Sequence, residues 1–249
     1  MVQSLEHVGR VSLLLFRTFK WILRGKWEVQ SLGEQMARVG VDSLPLIVVT
    51  FAFAGMVIAV QMVDQFVRFG AESLIGGIIG LSITRELAPV MTALIVAGRI
   101  GASFAAEIGT MKVTEQIDAL EVMGVDPVNY LVVPRFLACA FMLPVLTIFS
   151  DFVGIIGGYF VVMTREINVL VYKTSLSELM DPLDVIGGLI KSSVFGATIA
   201  LVSCYAGMTA SGGARGVGRM TTSAVVVSNM LVLILNYFLS VLIFSLRVI

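Results

Sequence analysis

The chain has 249 residues, of which 57% are hydrophobic and 14% are charged, and its formal net charge is zero. A soluble domain carries roughly 25% charged residues, so this chain has too few polar side chains to cover a water-facing surface. Zero net charge gives nucleic-acid binding no electrostatic support, and we expect no nucleic-acid partner. One His and two Cys, without a Cys-x-x-Cys pair, do not favour a metal or redox site, and we expect no metal and no cofactor on this chain.

Five apolar runs are long enough to cross a bilayer, which requires about 20 mostly apolar residues. Each run lacks the two-residue alternation of a strand, so we predict helices. The predicted fold is an all-α integral membrane protein with five transmembrane helices. The predicted spans are about 44–63, 74–106, 136–163, 185–208 and 224–246.

Residues 1–40 differ from the rest of the chain, because basic residues alternate there with large apolar and aromatic ones. A stretch too charged to span, with Trp21 and Trp27 suited to headgroup depth, indicates an interfacial amphipathic helix. An ordinary juxtamembrane tail is the alternative. The basic residues of this segment are Arg10, Arg17, Lys20, Arg24, Lys26 and Arg38.

The distribution of Lys and Arg predicts the orientation. With the N-terminus in the cytoplasm, the inner segments hold ten basic residues and the outer segments hold four. We therefore predict a cytoplasmic N-terminus and a C-terminus on the opposite side. The four outer residues are Arg68, Arg165, Lys173 and Arg247.

Small residues recur at four-residue spacing within the predicted spans, a pattern that lets helices approach closely in lipid. They predict tight packing, either within one subunit or between subunits. The rows are Gly98–Ala102–Ala106, Gly101–Ala105–Gly109, Gly76–Gly80 and Gly154–Gly158.

The segment between the second and third spans predicts a short helix of roughly ten residues. Thr114 is a candidate N-cap, Glu115 favours a helix N-terminus, Gly124 suits a left-handed C-terminal position and Pro127 prevents continuation. Three-residue spacing places Ile117, Leu120 and Met123 on one face. A helix this short is marginal alone, so it is either a connector at the membrane surface or a docking element for a cytoplasmic partner.

Ionisable groups inside spans are costly and usually functional. Arg85, Glu86, Lys191 and Asn236 all fall in the predicted outer half of the bundle, where we expect them to meet. They either line a cavity or tie helices together. An apolar path is predicted along spans one and five, with candidate walls Phe53, Met56, Val57, Val60, Leu235 and Leu239, and ordinary lipid-facing surface is the alternative.

Several separated motifs resemble the MlaE/YrbE permease family of ABC transporters. They are Arg85-Glu-Leu-Ala-Pro-Val90, residues 97–109, residues 114–127, Pro134-Arg-Phe, residues 190–195 and residues 221–226. The resemblance implies a permease domain at 41–249, a homodimer, cytoplasmic ABC ATPase subunits, an outer-side MCE-domain lipid-binding protein, and movement of phospholipids or related lipids between bacterial inner and outer membranes. It implies location in the inner membrane with a periplasmic C-terminus. It also implies an ATPase-coupling element formed by Glu115, Gln116, Asp118, Ala119, Leu120, Met123 and Gly124.

Other functions remain open from the residues alone. The Gly212–Gly218 loop lacks the Lys-Ser/Thr of a phosphate-binding P-loop, so any ATP hydrolysis is expected on a partner rather than on this chain. A gradient-driven carrier and a non-transporting membrane scaffold are the alternatives. A lipid-modifying enzyme would need a His/Asp catalytic cluster, which the sequence does not offer.

Overall fold

The computed structural model describes residues 2–25, 28–165 and 169–245, and their regular structure is helical throughout. Expectations that involve Lys26, Trp27, Leu246 and Arg247 lie outside these residues. The helices are α1 (Val2–Arg24), α2 (Val29–Gly40), α3 (Leu44–Arg68), α4 (Ile75–Ser82), α5 (Ala88–Val96), α6 (Ala102–Val113), α7 (Gln116–Val122), α8 (Val133–Thr164), α9 (Val169–Leu179), α10 (Pro182–Met208) and α11 (Gly213–Ser245).

Within the described residues, five continuous helical segments are long and apolar enough to cross a membrane, as predicted, so the chain is a multi-pass membrane protein. Most extend beyond the predicted apolar runs, because a helix continues past its apolar stretch into polar residues that reach the headgroups. The segments are Val29–Arg68, Glu72–Val113, Val128–Thr164, Pro182–Met208 and Gly213–Ile243.

The N-terminal region contains two helices, whereas the sequence predicted one. Helix α1 ends at Arg24, and Gly25 takes a left-handed φ of 64°. Helix α2 packs on α8 and continues through a 3₁₀ turn at Val41–Ser43 into α3. Residues 29–40 therefore belong to the first long segment rather than to a separate surface helix.

The second long segment contains two π-helical turns, at Ile83–Leu87 and Ala97–Gly101. A π turn inserts an extra residue and rotates the following helix, and such turns are frequent at functional sites. The first turn holds Arg85 and Glu86, and α5 follows it with Pro89 in its first turn. This irregularity sets the direction of the charged side chains within the membrane.

Helix α8 lies at the centre of the bundle, between α3 and α10. Glycines allow this contact: a Cβ at Gly55 would overlap the carbonyl oxygen of Gly154, and one at Gly157 would lie 2.5 Å from the carbonyl oxygen of Ala52. Helix α10 also packs against α6 and α11, which completes the bundle. Cys139 and Cys204 are free and buried in this core.

Helix α9 was not predicted, because its polar sequence carries no strong apolar period. It packs on α4, where a Cβ at Gly76 would overlap the backbone of Tyr172, and Ser175 Oγ accepts from the Gly77 amide at 3.0 Å. Tyr172 donates its hydroxyl to the Ile155 carbonyl at 3.2 Å. Burial raises the pKa of Tyr172 to about 12, so the hydroxyl stays a donor.

The rows of small residues separate into two groups. Gly101 and Gly109 face side chains of α10, α11 and the loop between them, so that row packs within the chain. Gly98 is exposed, with no atom within 4 Å of an added Cβ. The Gly98–Ala102–Ala106 row is therefore open at Gly98 and partly buried at Ala102 and Ala106.

Candidate functional site

Helix α7 connects the second and third long segments and is shorter than predicted, with seven residues from Gln116 to Val122. Thr114 does not cap it: its hydroxyl donates back to the Thr110 carbonyl at 2.8 Å. Glu115 occupies the N-cap position with a left-handed φ of 60°, an uncommon conformation for a residue other than glycine. Gly124 ends the helix with a φ of 78°, as its sequence predicted.

Two apolar side chains attach α7 to the bundle: Ile117 is 3% exposed, and Leu120 packs partly against the same core. The rest of the helix is open. Met123, which spacing placed on the same face as Ile117 and Leu120, is 69% exposed, and the adjacent Val122 is 89% exposed. The other exposed residues of the predicted coupling element are Glu115, Gln116, Asp118, Ala119 and Gly124.

The start of α7 is held against the end of α6. Lys112 Nζ donates to Asp118 Oδ1 at 2.8 Å across the turn between the two helices. An open depression of about 520 Å³ lies beside this turn, lined by Ala106, Glu107, Thr110, Met111, Gln116 and Arg135. Helix α7 is therefore held in one position on the bundle, and its exposed surface carries both acidic and apolar side chains.

The intramembrane polar residues converge on Lys191. Its side chain is fully buried, and Nζ donates to Glu86 Oε1 at 2.8 Å, to Ser240 Oγ at 2.7 Å and to the Arg85 carbonyl at 2.8 Å. Asn236 Nδ2 donates to Glu86 Oε2 at 2.8 Å. The four residues singled out from the sequence thus lie together, joined by Ser240, which sequence reasoning missed.

Two prolines explain why α10 can bind its neighbours through polar side chains. Pro89 has no amide hydrogen to donate to the Arg85 carbonyl, and Lys191 donates to that oxygen instead. Pro144 likewise leaves the Ala140 carbonyl without its helical donor, and Ser193 Oγ donates to it at 2.9 Å. Both donors come from α10, so this helix satisfies carbonyl groups that water cannot reach.

The Arg85 side chain is directed away from Lys191 and Glu86. Its Nε and terminal nitrogen lie 2.9 and 2.8 Å from Oδ1 of Asp184, which is fully buried at the start of α10. Asp184 also forms a capping box with Asp181. Sequence reasoning missed Asp184, although an acidic residue at a helix N-terminus within reach of an intramembrane Arg was the available signal.

Glu86 is the open member of the polar cluster, with a side chain 48% exposed. It accepts hydrogen bonds from Lys191, Ser240 and Asn236, which fixes the carboxylate direction. The cluster is therefore a neutral, preorganised group with one accessible acidic edge.

The predicted apolar walls lie on helices that pack against different neighbours. Phe53, Val57 and Val60 are exposed on α3, whose main contact is with α8. Leu235 and Leu239 are partly buried on α11, which contacts α10 and α6. Met56 is partly buried against the core. A shared lipid path along these residues stays a prediction.

Arg99 and Glu107 connect helices of the bundle through their side chains. Arg99 donates to Ser43 Oγ at 2.8 Å. Glu107 forms ion pairs with Arg38 of α2 and with Arg135 of α8, the latter at 3.1 Å. Among the described residues, no group of three His, Cys, Asp or Glu side chains is placed to hold a metal ion.

These features define an all-α membrane protein with a projecting helix between its second and third spans. The family described as Permease MlaE matches residues 32–242, and the chain belongs to this family. It is an ABC transporter permease by this membership.

Named relatives agree with that assignment. The chain is 45% identical to a probable ABC transporter permease protein of Rickettsia felis over 98% of its own length and 95% of the relative. It is 47% identical to a probable ABC transporter permease protein of Synechocystis over 92% and 88%, respectively. It is 42% identical to the chloroplastic protein TRIGALACTOSYLDIACYLGLYCEROL 1 of Arabidopsis thaliana over 88% of this chain and 63% of that protein.

Proposed function

We propose that this chain is the membrane subunit through which an ABC transporter moves phospholipids or related lipids. Separate ATPase subunits that bind α7 would supply the energy. The observation that carries the proposal is α7 itself. It projects from the bundle, is anchored through Ile117, and leaves Val122 and Met123 exposed next to acidic side chains. Exposed large apolar groups at this density on a short helix are typical of a protein contact.

The coupling role follows from how α7 is attached. Because Lys112 binds Asp118 and Ile117 enters the core, a displacement of α7 would move α6 with it. Helix α6 is continuous with the segment that carries Glu86. Differential binding of a partner to α7 would therefore favour one arrangement of the second span over another.

A lipid substrate fits the polar cluster better than a small soluble solute. Glu86 presents a half-exposed carboxylate that would accept hydrogen bonds from ammonium or hydroxyl groups of a headgroup, and exposed apolar side chains of the bundle would contact the acyl chains. The Arabidopsis relative carries the name of a lipid, trigalactosyldiacylglycerol. We place Arg85, Glu86, Lys191 and Asn236 at the polar side of the lipid site.

The assembly we propose is a homodimer in the bacterial inner membrane, with its N-terminus in the cytoplasm and its C-terminus in the periplasm. Two copies would cover the open Gly98–Ala102–Ala106 row or other exposed faces of the bundle. Cytoplasmic ATPase subunits would bind at the α7 end. An MCE-domain lipid-binding protein would bind at the opposite end.

The proposal is tested by reversing charge on the exposed surface of α7. We expect Glu121→Lys with Met123→Lys to abolish co-purification of an ATPase and ATP-dependent lipid transfer in proteoliposomes, while the permease still folds. Glu72→Lys, an equally exposed acid at the other end of the bundle, is the matched control.

Two results would distinguish the parts of this function. Retained ATPase binding and lipid transfer in the α7 variant would show that α7 is not the coupling element. Transfer that continues when the partner's ATP hydrolysis is abolished would instead support a gradient-driven carrier. Mass spectrometry of lipids that co-purify with the detergent-solubilised complex identifies the substrate class.

A further inference from the structure

Helix α1 presents three faces, which follow from 100° of rotation per residue. One face packs on the bundle and includes Leu14 and Thr18, both buried. The second face is apolar and largely exposed, although the ring of Phe19 also makes an edge contact with Phe136 of α8, with ring centroids 5.8 Å apart. It carries Phe16, Phe19 and Leu23, with exposures of 69%, 49% and 86%.

The third face is basic and borders the exposed apolar face. It carries Arg17, Lys20 and Arg24, all exposed. Arg24 lies over the ring of Trp21 at 4.9 Å from its centroid, which fixes the position of one cation. Apolar side chains directed into acyl chains, with cations at headgroup height beside them, match the two layers of an anionic lipid surface.

The end of α1 is attached to the segment that follows α7. Trp21 Nε1 donates to Asp126 Oδ2 at 3.0 Å, and Asp126 Oδ1 accepts from the Val128 amide at 2.8 Å. Asp126 lies two residues after Gly124, where α7 ends. The Trp21–Asp126 hydrogen bond therefore links the position of α1 to the segment that follows α7, beside the packing of α1 on the turn at Val128–Val132.

A second feature brings α1 and α7 together. Arg17 of α1 lines an open depression of about 330 Å³ with Glu121 and Gly124 at the end of α7. The basic face of α1 thus reaches the acidic surface of α7 without covering it.

We infer that the basic face of α1 binds anionic phospholipid at the bilayer surface, and that the Trp21–Asp126 contact transmits this binding to α7. Lipid bound to α1 stabilises its docked position by mass action. The docked Trp21 then holds Asp126, which lowers the frequency of local opening at α7. The fraction of molecules in which α7 is ordered for partner binding therefore depends on the charge of the surrounding membrane.

The test is hydrogen–deuterium exchange on the full chain in nanodiscs of phosphatidylcholine alone or mixed with phosphatidylglycerol. We expect phosphatidylglycerol to slow exchange several-fold in α1 and in residues 116–122, and high salt to reverse both effects. Arg17→Gln with Lys20→Gln should lose both effects. Trp21→Phe, which keeps the ring but cannot donate, should keep the slowing in α1 and lose it in residues 116–122.

Arg215→Gln with Arg219→Gln is the matched control, because it removes two exposed cations from α11 and should leave both effects intact. Unchanged exchange in α8 shows that each variant is folded. Equal exchange of α1 in the two kinds of nanodisc would overturn anionic lipid binding. Slowing of residues 116–122 that survives in Trp21→Phe would overturn transmission through this contact. No readout requires an ATPase, so the inference and the proposed coupling function can fail independently.

Discussion

Replacing Lys191 with Met tests the polar cluster most directly. Methionine keeps the apolar length of the side chain but removes an ammonium group that donates to the Arg85 carbonyl, Glu86 and Ser240. Removing one member of a buried ion pair costs about 3–5 kcal/mol, because the other charge is left uncompensated. Since the Glu86 side chain is 48% exposed, water relieves part of that cost. We expect a loss of about 2–3 kcal/mol in the free energy of unfolding.

The assay is equilibrium unfolding in mixed micelles, followed by the far-ultraviolet circular dichroism of the helices. Lys173→Met is the matched control, because Lys173 is exposed on α9 and its ammonium, among the described residues, contacts only the ring of Tyr159 at 5.8 Å, so its loss should change the free energy by less than about 1 kcal/mol. Glu86→Gln completes a double-mutant cycle. In the Lys191→Met background it should cost less than it does alone, since its partner is already gone.

Two results would refute this reasoning. A loss of unfolding free energy below about 0.5 kcal/mol for Lys191→Met would show that the buried ammonium does not stabilise the packing of α10 against the second span and α11. Equal effects of Glu86→Gln in the two backgrounds would show that the two charges do not interact energetically. A full loss of lipid transfer with unchanged stability would assign the cluster to the substrate rather than to the fold.

Three further predictions concern other contacts. Gly55→Ala should destabilise the bundle by about 1–3 kcal/mol through overlap with the Gly154 backbone, whereas Gly98→Ala should be neutral or slightly stabilising. Ile117→Ala should speed hydrogen exchange in residues 116–122 by about tenfold or more, with α8 unchanged, because it loosens only α7. Tyr172→Phe should cost about 1 kcal/mol below pH 10. That difference should shrink towards pH 12, since burial raises the pKa of Tyr172 to about 12 and the unfolded hydroxyl ionises first.

Each of these has a result that contradicts it. Equal unfolding free energies for the Gly55 and Gly98 variants would mean that α3 and α8 separate at no cost. Exchange that rises in α8 as well as in α7 would show that Ile117 belongs to the global core. A difference between wild type and Tyr172→Phe that grows above pH 10 would reverse the assigned direction of the Tyr172 shift.

The extent of sequence prediction can be judged from α7. Gly124 marked the end of the helix because its left-handed φ is a local property. Thr114 was misassigned because it ends α6, where its hydroxyl donates to the Thr110 carbonyl, while Glu115 takes the N-cap position of α7. Spacing placed Met123 on one face with Ile117 and Leu120, but it could not show that only Ile117 of these three is fully buried, because that depends on how the short helix packs on the bundle.

The amino-acid sequence was enough to predict that this chain crosses a membrane, because the length of an apolar run can be compared directly with the bilayer thickness. It also marked the charges inside those runs and the motifs that assign the chain to its family. The tertiary structure decided which groups satisfy those charges. Asp184 and Ser240 reach Arg85 and Lys191 only once α10 and α11 are packed. Two side chains of α10, Lys191 and Ser193, donate to carbonyl groups that lack a helical donor because a proline follows four residues later. Hydrogen bonds between distant segments depend on packing angles and on π turns, which no local pattern of residues specifies.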